Sequence, residues 1–127
     1  ARLEYNWGPR CNALQNNAVI LEYWTENITT LGRKVGEINI NSGSTDVGNM
    51  SVRAPSIHAF LSISNETIPG HSAEFVVAAA SELGDKAVID GAKALAMTAA
   101  DLVAKPDALS RAKEELEETR KRERIVI

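Results

Sequence analysis

The stretch SIHAFLSI, residues 56–63, alternates as a β-strand does: Ile57, Ala59, Leu61 and Ile63 fall on one face, His58, Phe60 and Ser62 on the other. Phe60 on the second face implies that both faces are covered, as in a sheet with helices on each side. The expected fold class is therefore α/β. Upstream, RLEYNW (2–7) reads as a short strand ending at Gly8-Pro9, and VGEINI (35–40) as another. Between them Leu14, Ala18, Leu21, Thr25, Ile28 and Leu31 recur at helical spacing, with Asn12 placed to cap the start and Gly32 the end.

Downstream, residues 85–104 form a helix that is apolar nearly all round, with Lys86, Asp90, Lys93, Asp101 and Lys105 marking a narrow polar stripe. Such a helix is expected to lie against a sheet with little of itself wet. Pro106 opens a last helix, tolerated in a first turn. Its seam is only Leu109, Ala112 and Leu116, and Glu117–Lys121 and Glu118–Arg122 have the favourable i,i+4 order. That helix is expected to be mostly solvated, its acidic run an exposed face rather than a metal site. The order strand–helix–strand–loop–strand–helix–helix is α/β in character.

Composition narrows the function classes. The chain has 127 residues, 44% apolar and 24% charged, with net charge −3, which reads as one soluble globular unit. The acidic balance argues against a nucleic-acid binder, which would carry a basic patch. Cys11 is the only cysteine, so an internal disulfide and a four-cysteine zinc site are excluded. With no apolar run of about 18 residues and no secretory leader pattern, neither a membrane partner nor export is expected. The three N-x-S/T sequons, at Asn27, Asn49 and Asn65, then read as chance occurrences. The chain begins at Ala1, which suits a processed product or a cut segment and leaves room for a longer gene product.

Candidate chemistry concentrates in two places. In the loop GSTDVGN (43–49) the outer glycines have phosphate-loop spacing, but Asn49-Met50 stand where lysine and a hydroxyl residue are needed. The Gly-x-Ser-x-Gly elbow of a serine hydrolase is also absent, and nothing in the spacing supports a Ser44–Asp46–His71 triad. The loop suits a concave set of backbone N–H groups, with the Ser44 and Thr45 hydroxyls, that holds a carboxylate or an oxyanion. A plain glycine- and serine-rich turn fits it as well. Of the two histidines, His58 sits inside a strand and reads as a packed structural residue. His71 follows a buried strand, where ligands of open α/β sheets bind and where a neutral imidazole is a common metal ligand.

Three motifs in order, GSTDVGNMSVRAPSIHAFLSI (43–63), GHSAEF (70–75) and AKALAMTAADLV (92–103) followed by KP, carry a resemblance. From about residue 9 to about 120 the chain resembles the C-terminal segment of zinc-dependent amidohydrolases of the aminoacylase–carboxypeptidase superfamily. The resemblance leans to the aminoacylase-like dipeptidase and aminobenzoyl-glutamate-hydrolase branch of peptidase family M-twenty. It implies a three-layer αβα catalytic domain binding two zinc ions, with an inserted lid that mediates dimerisation. On that pattern residues 1–8 are the end of the lid and 9–127 the C-terminal portion of the catalytic domain. His71 is the implied metal ligand, and Ser44, Thr45 and Asp46 are implied substrate contacts.

The implied activity is hydrolysis of N-acyl amino acids or small peptides by metal-activated water in a cytoplasmic homodimer. The family's His-x-Asp motif, its Glu-Glu pair and a further ligand all lie N-terminal to this segment. Glu114-Glu115 and Glu117-Glu118 do not replace the pair, being on the terminal helix. The chain is therefore expected to be inactive by itself and to need the missing N-terminal catalytic segment as partner. The rival expectation is a non-enzymatic binding or assembly module built on the half-fold.

Overall fold

The computed structural model describes residues 1–8, 11–36 and 44–123. Five helices run through them: α1 (Ala18–Thr30), α2 (Val47–Ser51), α3 (Ala73–Ala79), α4 (Glu82–Ala104) and α5 (Ala108–Glu123). Helices α1 and α4 pack side by side, and α5 closes against both. Trp24 and Ile28 of α1 and Ala94 of α4 form the core, with Leu21, Leu31, Ile57, Ala59 and Leu61 packed around it.

The helix expected to start after Asn12 starts instead after Asn17, for a reason of hydrogen bonding. A helix N-terminus leaves its first N–H groups without intrahelical partners. Here the Asn17 N–H donates to Ser56 O at 2.8 Å, and Ile20 N–H to Asn17 Oδ1 at 3.1 Å. The Ala18 and Val19 N–H groups donate to the two carboxylate oxygens of Glu115, at 2.7 and 3.1 Å. Asn12 is engaged elsewhere: its backbone N–H and its side-chain amide both donate to Asn49 Oδ1. Gly48 permits that close approach, since a Cβ there would lie 1.9 Å from Asn12 O. Substituting an N-cap asparagine by alanine costs about 1 kcal/mol. Asn17 carries a further bond, from its side-chain amide to Ala112 O at 2.9 Å.

The other end of α1 matches the expectation. Gly32 has φ 83, its N–H donates to Thr29 O at 2.8 Å, and Arg33 N–H donates to Ile28 O at 3.3 Å. This is the Schellman pattern, which favours glycine at the left-handed position. It aims Arg33 across to α4, where Nε meets Asp90 Oδ2 at 2.8 Å while an outer guanidinium N–H reaches Ser62 O.

Residues 56–63 carry the expected alternation but not a ladder. Ile57, Ala59 and Leu61 lean on the α1–α4 core, while Phe60 points away and is 73% exposed. Gly91 of α4 lets the segment approach, a Cβ there falling 2.9 Å from Leu61 Cδ1. The backbone of this segment bonds to the 16–17 stretch rather than to another strand. Among the described residues there is no strand, so the expected sheet has no counterpart in them. Residues 2–7 are exposed and unpaired with any strand. Most of the strand expected at 35–40, and the loop positions 41–43, lie outside the described residues.

Helix α4 is oriented differently from a helix lying apolar-side-in. Its face toward α1 is made of small and polar residues: Ala87, Asp90, Gly91, Ala94 and Thr98 are buried. Val88, Ile89, Leu95 and Val103 are exposed. Polar partners on α1 explain this face, since Asn27 donates to Thr98 Oγ1 and to Asp101 Oδ2. Helix α5 is mostly exposed, as its composition implies, and buries only a narrow seam. Ala108, Ala112 and Leu116 are buried, while Leu109 is exposed. Arg120 donates to Val52 O and Arg53 O, and pairs with Glu117, which the expected i,i+4 pattern had matched with Lys121.

Lys86 and Arg33 beside Asp90 hold its carboxyl below the ordinary carboxylate value. A carboxylate depressed in the folded state adds stability above its unfolded pKa and loses it as pH falls through the folded value. Asp90→Asn should therefore lower stability at neutral pH and flatten its decline below about pH 4. Urea midpoints of both proteins across that range check it, and parallel curves would contradict it.

Candidate functional site

One open cleft of about 1550 Å³ gathers most of the residues singled out by sequence. Its walls come from residues 11–14, from Ser44 and Thr45, from His58 and Phe60, and from the turn that leads through His71 into α3. The hydrogen bonds that fix α1 also build this cleft. Asn16 Oδ1 accepts from His58 N–H at 2.8 Å, and Gln15 N–H donates to Ser51 Oγ, which in turn donates to Gly48 O. The 11–17 stretch is thereby held along both α2 and the 56–58 segment.

His71 is exposed at the cleft and has φ 60, in the left-handed region. Such a conformation costs an L-residue about 1–2 kcal/mol. Ser72 follows as the cap of α3, accepting Phe75 N–H at 3.1 Å, which helps to hold the turn. Thr45 Oγ1 accepts Val47 N–H at 3.3 Å, so its hydroxyl still has a hydrogen to offer the cleft. Asp46 precedes α2 without a side-chain capping bond, and it does not line the cleft.

His58 departs from its reading as an ordinary packed residue. Its ring is half-buried, sits 4.8 Å from the Phe60 ring, and lines the same cleft as His71. Its Nδ1 is buried without a hydrogen-bond partner. The signal was present in the alternation, which places His58 with Phe60 on the face away from the core. Phe75 and Val76, exposed at the start of α3, complete an apolar side of the cleft.

Two imidazoles do not make a metal centre. No group of three or more histidine, cysteine, aspartate or glutamate side chains able to hold an ion occurs among the described residues. Glu115 has both oxygens engaged at the start of α1, far from that role. A zinc site is thus not assembled by these residues, although His71 and His58 each present chemistry suited to a ligand. No helix among the described residues is long and apolar enough to cross a membrane.

The chain is related to peptidases of the dipeptidase kind. Over 103 residues it is 36% identical to the Xaa-Arg dipeptidase of Mus musculus, a match covering 78% of this chain and 24% of that protein. Over 92 residues it is 37% identical to the Xaa-Arg dipeptidase of Homo sapiens, covering 66% and 21%. The chain thus spans under a quarter of the length of these curated relatives. No family model matches it. No solved structure matches it.

The left-handed turn gives a direct check. Glycine adopts φ 60 freely, whereas a β-branched residue there is strained. His71→Gly should be at least as stable as the parent chain, and His71→Val less stable, because histidine tolerates the left-handed region better than a β-branched residue does. Urea denaturation reads both, and equal stability of the valine variant would contradict a turn held at this φ.

Proposed function

We propose that this chain is the C-terminal portion of a zinc-dependent hydrolase that cleaves small peptides or N-acyl amino acids. The observation that carries the reading is the cleft that brings His71 together with Ser44 and Thr45. Similarity to two Xaa-Arg dipeptidases supports the same class of amide-bond chemistry. In this reading His71 contributes one metal ligand, and the Ser44 and Thr45 hydroxyls hydrogen-bond the substrate. Asp46, the third substrate contact that the resemblance implies, adjoins them but does not line the cleft. No group of three or more metal donors occurs among the described residues, and in this reading the remaining donors and the catalytic base belong to the N-terminal part of the enzyme.

The reading extends to architecture and setting. Residues 9–127 belong to an αβα catalytic domain whose sheet is completed by an N-terminal segment, and residues 1–8 end a lid domain. The enzyme is a cytoplasmic homodimer. Exposed Val88, Ile89, Leu95 and Val103 on α4, with Val77 on α3, are the surfaces that the N-terminal segment covers. Exposed large apolar side chains that gather into a patch mark an interaction site. About three quarters of the relatives' length lies outside the matched region, enough chain to supply such a cover.

The chain by itself should not hydrolyse N-acyl amino acids. Co-expression with the N-terminal segment of the parent protein should give a soluble complex with bound zinc and amidase activity. Zinc-dependent turnover by the pure 127-residue chain, or a chain that ignores that segment, would contradict the proposal.

A further inference from the structure

Among the described residues, His58 Nδ1 is the one buried side-chain nitrogen or oxygen atom without a hydrogen-bond partner. Native proteins pair the large majority of such atoms, so an exception calls for a reason. In a neutral imidazole one nitrogen is a donor and the other an acceptor. An orphaned buried N–H is rarer than an under-satisfied acceptor, which places the hydrogen on the other nitrogen, Nε2. Nε2 is not among the buried orphans, and the ring that carries it lines the cleft. The backbone that carries the ring is anchored, and the ring has a packing neighbour. Its backbone N–H is bonded to Asn16 Oδ1 at 2.8 Å, and its face lies against Phe60.

We infer that His58 is a second ligand-binding imidazole of this cleft, a pre-oriented Nε2–H donor for the carboxylate of a small molecule. The surroundings define the rest of that ligand. Phe60, Phe75, Val76 and Leu14 offer apolar walls, while Ser44 and Thr45 add hydroxyl groups. A carboxylate joined to an apolar or aromatic acyl group satisfies both sides. A hydrogen bond to a charged group contributes more than one between neutral groups, and a donor held in place before binding loses little entropy in making it. The inference rests on the cleft being the substrate site, as proposed above, but requires neither a metal nor hydrolysis.

The test uses hippurate, an N-benzoyl amino acid, and the chain labelled with 15N-histidine. Nitrogen shifts should show His58 as the Nε2–H tautomer, with Nδ1 in the unprotonated form. Hippurate should shift the His58 Nε2–H resonance. His58→Gln, whose amide can present an N–H near the Nε2 position, should bind hippurate within about threefold of the parent. His58→Phe, similar in shape but without the donor, should bind at least about tenfold more weakly. If the phenylalanine variant fails to fold, the tautomer and the glutamine variant decide the matter. An Nδ1–H tautomer, no response to hippurate up to its solubility limit, or equal binding by a folded phenylalanine variant would overturn the inference. Absence of amidase activity from the reconstituted enzyme would instead overturn the proposed function and leave these results standing.

Discussion

The structure depends on the first turn of α1. Four N–H groups there need acceptors, and three separate parts of the chain supply them. Ser56 gives a carbonyl, Asn17 its own side chain, and Glu115 a carboxylate. A carboxylate at a helix N-terminus also meets the positive end of the helix dipole. Because Asn17 reaches Ala112 O as well, α5 is bound to the same point. Adjacent Asn16 fixes the backbone of His58. One dipeptide therefore sets the start of a helix, the docking of another, and the placement of a cleft-lining imidazole.

The second constraint is the polar seam between α1 and α4. Asn27, Thr98 and Asp101 form one hydrogen-bonded group, and Arg33, Asp90 and Lys86 form another. Asn27 and then Lys105 keep the Asp101 carboxyl below its ordinary value, while Asp101 raises the Lys105 ammonium, which also lies over the Tyr23 ring. Fully satisfied polar groups at such a seam favour one register over alternatives. Their cost is that the long apolar side chains of α4 face outward. The helix buries alanine and aspartate and leaves valine and leucine on its far side, the surface that the proposed N-terminal segment would cover.

What the sequence made legible followed from short-range physics. Gly32 at a helix end required only a residue tolerant of positive φ, and the alternation of 56–63 correctly separated its core-facing residues from Phe60. The start of α1 was misjudged because Asn12 and Asn17 are equally good caps locally. The choice between them is made by Asn49 and Glu115, far away in sequence. The α4 orientation was misread for the same reason, its polar residues having partners on α1 that no periodicity reveals. Helices α2 and α3 were hidden in loop-like composition. In the candidate cleft, Ser44, Thr45 and His71 stand out by chemistry and motif, whereas His58 does not, because a histidine in a strand-like segment is most simply a packed residue. Only the unpartnered nitrogen and the shared cleft distinguish it.

Native-state hydrogen exchange of the whole chain tests the central tie most directly. The amides of Ala18, Val19 and Ile20 and that of His58 come from two separate parts of the sequence, and each has a side-chain acceptor. If the first turn of α1 is the point on which the rest depends, these four should open together, at the free energy of global unfolding. The amides of α3, which has no buried residues, should exchange much sooner. Rapid exchange at Ala18 and Val19 with His58 still protected would show that Glu115 is not holding the helix and that the cleft is placed by something else.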